Sequence, residues 1–363
     1  MSATPAHSGS KPAGPLHIPS LDGIRALSFL IVFFGHSGLR GIIPSYFGLS
    51  VFFFLSGYLI TTLMRVEFDG TGDISFRQFY LRRALRILPP FYLVLVISYA
   101  FSVFHWWPGP ELTASAVLAQ VCHLTNYYII RHGWWEGLAP GTWVYWSLAV
   151  EEHFYVVFPF LYLWMRRRIR PEHQQALFLL TLCAALLVWR CVLVFGFDAG
   201  RDRTYVASDT RVDSILAGCI LAVWSNPVFS PNAPSDRALA RVWLPLGTVA
   251  IGISLVVRVP DFEQTLRYTL QSFGLLPFFM AAVRWHQRFG VRLLNHPFLR
   301  YLGLLSYSMY LLHTGTLWWL EETLHFPQWK QCLVGLPFLI LAGTAIHRFI
   351  EKPIAKLRRR FVH

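Results

Sequence analysis

Ten stretches of the chain stay apolar long enough to cross a bilayer, near residues 22–40, 47–66, 87–106, 144–165, 176–196, 208–225, 242–257, 268–285, 298–320 and 331–350. Each approaches the roughly 20 residues that a helix needs to span hydrocarbon, although the runs at 208–225 and 242–257 are short. An eleventh candidate, ASAVLAQVCHLTNYYII at 114–130, is shorter and more polar, and counting it would place the basic run RRRIR at 166–170 on the outer side. Leaving it out sorts the charges. With both termini cytosolic, the inner loops hold Arg65, Arg77, Arg82, Arg83 and Arg86, then Arg166 to Arg168 and Arg170, then Arg284, Arg288, Arg292 and Arg300. The end of the chain adds Lys352, Lys356 and Arg358 to Arg360, while outer loops keep only scattered basics such as Arg131, Arg201 and Arg258. A bias of Arg and Lys toward short inner loops encodes orientation. The pattern therefore predicts an all-α, polytopic transmembrane bundle of about ten spanning helices, with 107–143 as an outer, partly re-entrant segment.

Composition agrees: the 363 residues are 55% hydrophobic and only 14% charged, beyond what a soluble domain carries. A formal net charge of +13 would suit nucleic acid, but the basic residues sit in loops between apolar runs, so no nucleic-acid partner is expected and membrane lipids are. The five cysteines are scattered without CxxC or His spacing and read as core residues, with no metal site. Residues 1–19, rich in Pro, Ser, Ala and His and lacking an apolar signal core, read as a disordered tail. No repeat or linker marks a second domain, so 20–353 forms one transmembrane domain and 354–363 a basic cytosolic tail.

The polar residues inside the spans are few, and an ionisable group in hydrocarbon costs at least a few kcal/mol, so such groups mark function by default. In the first segment Arg25 and His36 lie eleven residues apart, which brings them to nearly the same helix face about 16 Å apart in height. Two layers result. Toward the inner side lie Asp22, Arg25 and the run LRRALRILPP, where Arg83 and Arg86 share a face three residues apart before Pro89, expected to stop an interfacial helix. These arginines serve either as topology determinants or as a phosphate site. Toward the outer side lie His36, Glu151 and Glu152, Asp213 and His313. Glu151 and Glu152 point 100° apart, so one alone faces a given cavity; Glu151 heads a polar stripe with Ser147 and Tyr155. Asp213 reads either as a reactive group or as a helix-start partner of Arg211, and His313, in the stripe Ser306, Tyr310, His313, either as reactive or as interhelical glue. The tryptophans of GWWEG and GTWVYW at 133–146 read as an interface belt, with sugar stacking as the alternative.

With these residues in place the chain resembles the acyltransferase-3 family of integral membrane acyltransferases, over about Leu21 to Pro353. The likeness is carried by LDGIRALSFLIVFFGH, FFFLSGYLI at 52–60, RRALRILP, WSLAVEEHFY at 146–155, RVDSILAG at 211–218, LGLLSYSMYLLH at 302–313 and RFIEKP at 348–353. Singly these are weak patterns; all seven in order are specific. The resemblance implies a bundle of about ten transmembrane helices that modifies hydroxyls on cell-surface glycans and some natural products. It also implies that His36 is essential for acyl transfer, that Arg25, Arg83 and Arg86 serve the acyl donor, and that the glutamate of WSLAVEE partners the site. Some family members carry a further soluble hydrolase-like domain; without one a single-domain mechanism is expected here.

The resulting expectation is a multi-pass enzyme of the bacterial inner membrane. It moves an acyl group, acetyl being the family's commonest, from cytosolic acetyl-CoA or another acyl-CoA to a hydroxyl of a cell-surface glycan, lipid-linked saccharide or macrolide sugar. Acyl-CoA is donor substrate; no permanently bound cofactor is expected. His36 acts as general base with Glu151 orienting or charging it, and Ser56 serves helix packing with Gly57, because no G-x-S-x-G elbow surrounds it. The competing reading is a proton-coupled transporter of a lipid-linked or anionic solute using the same His and Glu as a relay; the paired broken helices that would favour it are absent from the sequence pattern.

Overall fold

The computed structural model describes residues 18–39, 41–230, 233–288 and 290–361, the last four by backbone alone. Residues 1–17 of the expected tail, the final two residues and the side chains of Arg358, Arg359 and Arg360 lie outside the described residues. The fold is all-helical: 80% helix, with no strand among the described residues. Ten longer helices follow the ten apolar runs: α1 Pro19–His36, α2 Ser45–Thr71, α3 Phe76–Val103, α4 Trp146–Arg168, α5 Glu172–Cys191, α6 Asp213–Val223, α7 Leu244–Val256, α8 Leu266–Arg284, α9 Pro297–Glu322 and α10 Gln328–Ile346.

Five stretches are long and apolar enough to cross a membrane: Ser45–Thr71, Phe76–Val103, Glu172–Gly196, Asp236–Val256 and Gln328–Leu357. These contain α2, α3, α5, α7 and α10. The other helices include α1, α4, α6 and α9, which carry the ionisable residues singled out above and need neighbours to shield them. The apolar stretch of α2 is 72% buried, whereas that of Asp236–Val256 is only 17% buried, so α2 is central and α7 peripheral.

Small residues let the central helices close up. A Cβ on Gly57 of α2 would fall 1.9 Å from the Ile215 carbonyl oxygen of α6, and one on Gly218 would fall 2.0 Å from the Phe54 carbonyl oxygen. That fits the packing role read for Gly57, because only glycine tolerates such an approach. Ser56 differs from its expectation: its hydroxyl hydrogen-bonds Tyr155 of α4.

The bundle has two distinct ends. At the arginine-rich end ion pairs tie α2 to its neighbours: Arg166 of α4 to Asp69, Arg65 to Glu172 of α5, and Arg82 of α3 to Glu67 at 2.9 Å. At the opposite end Trp318 of α9 donates to the Pro108 carbonyl at 2.7 Å, and Ser37 after α1 lies 3.2 Å from Cys332 of α10.

Two sequence expectations change. Pro89 does not stop a helix: α3 runs through Pro89 and Pro90, so Arg83 and Arg86 occupy its first turns. Proline removes backbone donors here, and on the same turn the Ile87 carbonyl accepts from the Tyr307 hydroxyl of α9 at 2.9 Å. The run at 208–225 is broken at Val212 into Ser208–Arg211 and the eleven-residue α6. The segment at 114–130, excluded as a span, forms two short helices, Ala114–Val121 and Thr125–His132.

Candidate active site

The stripes along four helices meet in the bundle's interior. Arg25 of α1, Arg83 and Arg86 of α3 and Glu151 of α4 all line one cavity of about 310 Å³, which α2 and α9 complete. The full Ser147, Glu151, Tyr155 stripe faces it, as i, i+4 spacing requires. Arg25 is held by Asp22 one turn earlier at 2.9 Å, and the Arg83 guanidinium lies 5.4 Å from the centre of the Tyr155 ring. The Tyr155 hydroxyl donates to Glu151 Oε2 at 3.3 Å. Three guanidinium groups face this cavity together with the Asp22 and Glu151 carboxylates, and fork-shaped donors of this kind hold phosphate oxygens in pairs.

Helix α1 packs along α9, and at the far end of that seam His36 Nδ1 lies 3.0 Å from His313 Nε2, the ring planes only 8° apart. His313 Nδ1 is 2.6 Å from the Tyr310 carbonyl oxygen. A carbonyl accepts and never donates, so His313 Nδ1 carries a hydrogen and, in the neutral ring, Nε2 is an acceptor. His36 Nδ1–H then donates to it, and the basic lone pair of His36 is on Nε2. His313 is fully buried, with Phe29 edge-on against it at 6.2 Å, which fixes the ring that fixes His36.

His36 borders two further spaces. One of about 130 Å³ is walled by Trp143, Trp146, Tyr205 and Tyr310; the other, about 550 Å³, lies at the end away from the arginines and includes Trp135, Trp143 and Trp318. Tyr310 and Leu49 line both the arginine cavity and the small space, while His36, Ser45 and Trp143 line both the small and the large. The three form a file through the bundle with His36 between its middle and outer members. Tyr310 at the first junction is held by Ser147 Oγ at 2.6 Å and the Val144 carbonyl at 3.2 Å.

The sequence grouped His36, Glu151, Asp213 and His313 at one depth, and the structure divides them. His36 and His313 touch, whereas Glu151 lines the arginine cavity. Glu151, not Glu152, lines that cavity. Asp213 is not brought to the cluster. It is buried in an ion pair with Arg190 of α5 at 2.7 Å and accepts from Thr269 at 3.1 Å. Arg211, its expected partner, lies instead over the Tyr268 ring, 3.6 Å from its centroid. Arg190 had a legible signal, a single arginine inside the apolar run 176–196; Leu49 had none, being one leucine among many.

A helical bundle fit for a bilayer, with the half-buried His36 against the buried His313 between cavities, defines a multi-pass membrane protein. The pattern of the acyltransferase domain family called acyltransferase 3 matches residues 18–347, and the chain belongs to that family. The family is described as an acyltransferase domain, not as a transporter. The chain is 29% identical over 357 residues to the peptidoglycan O-acetyltransferase OatA of Listeria monocytogenes serovar 1/2a, a match covering 94% of this chain and 56% of the relative. It is 27% identical over 355 residues to the O-acetyltransferase OatA of Staphylococcus aureus strain NCTC 8325, covering 94% and 58%. A putative O-acetyltransferase of S. aureus strain COL is 24% identical over 350 residues, again covering 94% and 58%. The chain thus spans a little over half the length of these relatives. No solved structure matches.

Proposed function

We propose that the protein is an O-acetyltransferase of the bacterial inner membrane, carrying an acetyl group from cytosolic acetyl-CoA to a hydroxyl of a cell-envelope glycan such as peptidoglycan. All ten helices span in this reading, with both termini and the arginine-rich end cytosolic. The observation that carries it is the placement of His36 in the file of cavities, one member away from the arginine chamber and directly on the large outer space.

Arg25, Arg83 and Arg86 bind the phosphates of the donor, and its extended arm runs past Tyr310 and Leu49 so that the thioester reaches His36. His36 Nε2 takes the proton of the acceptor hydroxyl as its oxygen attacks the thioester carbonyl. The new C–O ester bond forms, the C–S bond breaks, and the imidazolium returns its proton to the departing thiolate, releasing CoA with its thiol. His313 is a positioning residue: it touches neither substrate, and keeps the hydrogen on His36 Nδ1. Direct transfer needs fewer steps than an acyl-histidine intermediate. The bundle cavities and the names of the relatives support this assignment.

The test is CoA release from acetyl-CoA by purified protein, with and without a cell-envelope glycan mixture. Acceptor-dependent release should fall by about 10²–10⁴-fold in His36→Ala, the usual worth of a positioned general base. Equal rates in the two proteins would sink the base assignment, and wild type that neither consumes nor binds acetyl-CoA would sink the donor.

A further inference from the structure

The large outer cavity holds three tryptophans that acid/base chemistry does not use. They come from three places in the chain: Trp135 from the loop after Thr125–His132, Trp143 from the turn that starts α4, and Trp318 from the end of α9. Their rings are in mutual contact, with centroids 4.4 Å apart for Trp135 and Trp143, 5.7 Å for Trp143 and Trp318, and 5.9 Å for Trp135 and Trp318. Tryptophans of an interfacial belt are scattered around a bundle's perimeter, as exposed Trp164 of α4 and Trp329 of α10 are. These three instead converge on one concavity that also contains His36.

The platform is pre-built. Trp318 is anchored through its indole N–H to the Pro108 carbonyl, and the Thr314 hydroxyl donates to the Gly141 carbonyl. Gly141, at φ +78°, presses so closely on α9 that a Cβ there would lie 2.2 Å from the Gly315 nitrogen. Loop and helix are locked together just where the indoles meet, and rings already fixed lose little entropy on binding.

From this cavity we propose that Trp135, Trp143 and Trp318 form a stacking platform for one pyranose ring of the acceptor, which makes the acceptor a saccharide. A sugar ring has an apolar C–H face and a hydroxyl edge, and the cavity offers a surface for each. Glu321 and Glu322 border the same space, and a carboxylate such as that of Glu322 can accept hydrogen bonds from hydroxyls. Arg258, also on the border, is engaged by the Tyr46 hydroxyl at 3.0 Å and by Glu263 at 3.9 Å. The ring spacing decides how the sugar sits. Sandwiching it between two aromatic faces needs about 7–8 Å, two carbon contacts of roughly 3.5–4 Å each. Trp135 and Trp318 are closer than that, at 5.9 Å and 32°. Trp143 meets both edge-on, at 67° and 70°, so the indoles form a corner in which a single ring stacks on one face. The inference rests on the acyl-transfer reading only for the fate of the stacked sugar's hydroxyl.

The test is direct binding of chitotetraose and maltotetraose to the full chain in nanodiscs, followed by saturation-transfer NMR of the sugar protons. Trp318→Ala and Trp135→Ala should each weaken binding by about tenfold, Trp318→Phe should recover most of it, and Trp329→Ala on the lipid-facing surface should bind as wild type does. Trp135 is 55% exposed, so its removal leaves the core intact and keeps the result readable if Trp318→Ala misfolds. Binding unaffected by either alanine, or no binding of either sugar by wild type at millimolar concentration, overturns the platform. The outcome is independent of the base assignment: sugar binding that follows Trp318 while His36→Ala retains full transfer would overturn the mechanism and leave the platform standing.

Discussion

The two ends of the cavity file are built from opposite materials. The arginine chamber sets the charged side chains of α1, α3 and α4 into a largely aliphatic and aromatic wall, whereas the outer cavity gathers indole rings and is bordered by carboxylates. A guanidinium grips a phosphate strongly wherever it lies within reach, so a multiply charged ligand needs charge more than shape. A neutral hydroxylated ligand offers no such handle and must be recognised by surface fit, which the outer wall pinned by the Gly141 contact supplies. The difference teaches that the proposed donor and acceptor sites should fail in different kinetic parameters.

The largest effect should come from breaking the charged end. The double variant Arg83→Ala, Arg86→Ala removes two charged donors worth about 1.5–3 kcal/mol each, so kcat/KM for acetyl-CoA should drop at least about 100-fold. The KM for the glycan should hold within about twofold in steady-state assays varying each substrate in turn. A matching rise in glycan KM would mean that the two ends are not separate sites.

A smaller effect is expected at the junction. His313→Leu removes the acceptor that holds the hydrogen on His36 Nδ1, and kcat should fall by about 10–100-fold with both KM values nearly unchanged. His313→Gln, whose amide oxygen can take the same hydrogen, should recover part of that rate, and its pH–rate profile should lie closer to wild type. If leucine and glutamine are equally poor, the tautomer argument is wrong and His313 acts by packing.

The smallest effect belongs to Tyr310, which lines both the inner and the middle cavity. Tyr310→Phe deletes the contacts to Ser147 and Val144 at a cost of about 1 kcal/mol, so kcat should fall roughly fivefold. A gain in rate would instead identify the tyrosine as an obstruction between the two ends.

Much of this arrangement was legible along the chain because membrane helices obey two strong rules. Arginine bias and the 3.6-residue period together place Arg25 and His36 on one face, group Arg83 with Arg86, and align Ser147, Glu151 and Tyr155; the folded bundle brings all of these except His36 to one cavity. Depth alone did not decide partners. The charge pattern puts Asp213, Glu151 and His36 at one level, but which groups meet depends on helix rotation and neighbour order, and sequence periodicity fixes neither. The continuity of α3 through Pro89 and Pro90 was hidden because proline is read as a stop, whereas inside a packed bundle a helix can run through proline. The tryptophan wall was divided among segments nearly 200 residues apart, so no local window could show it as one surface.

The pairing of His36 with His313 also has a consequence for how the protein is made. The partners are 277 residues apart, and at roughly 5–20 residues per second the ribosome takes about 14–55 s to supply the second after the first. On the proposed ten-span reading, α1 lies in or near the membrane during that interval without α9, the helix against which it packs. Asp22 and Arg25, one turn apart and joined at 2.9 Å, let it wait with its two opposite charges neutralised inside its own helix. A contact that looks minor beside the finished chamber is thus the means by which the first helix can be inserted long before the chamber exists.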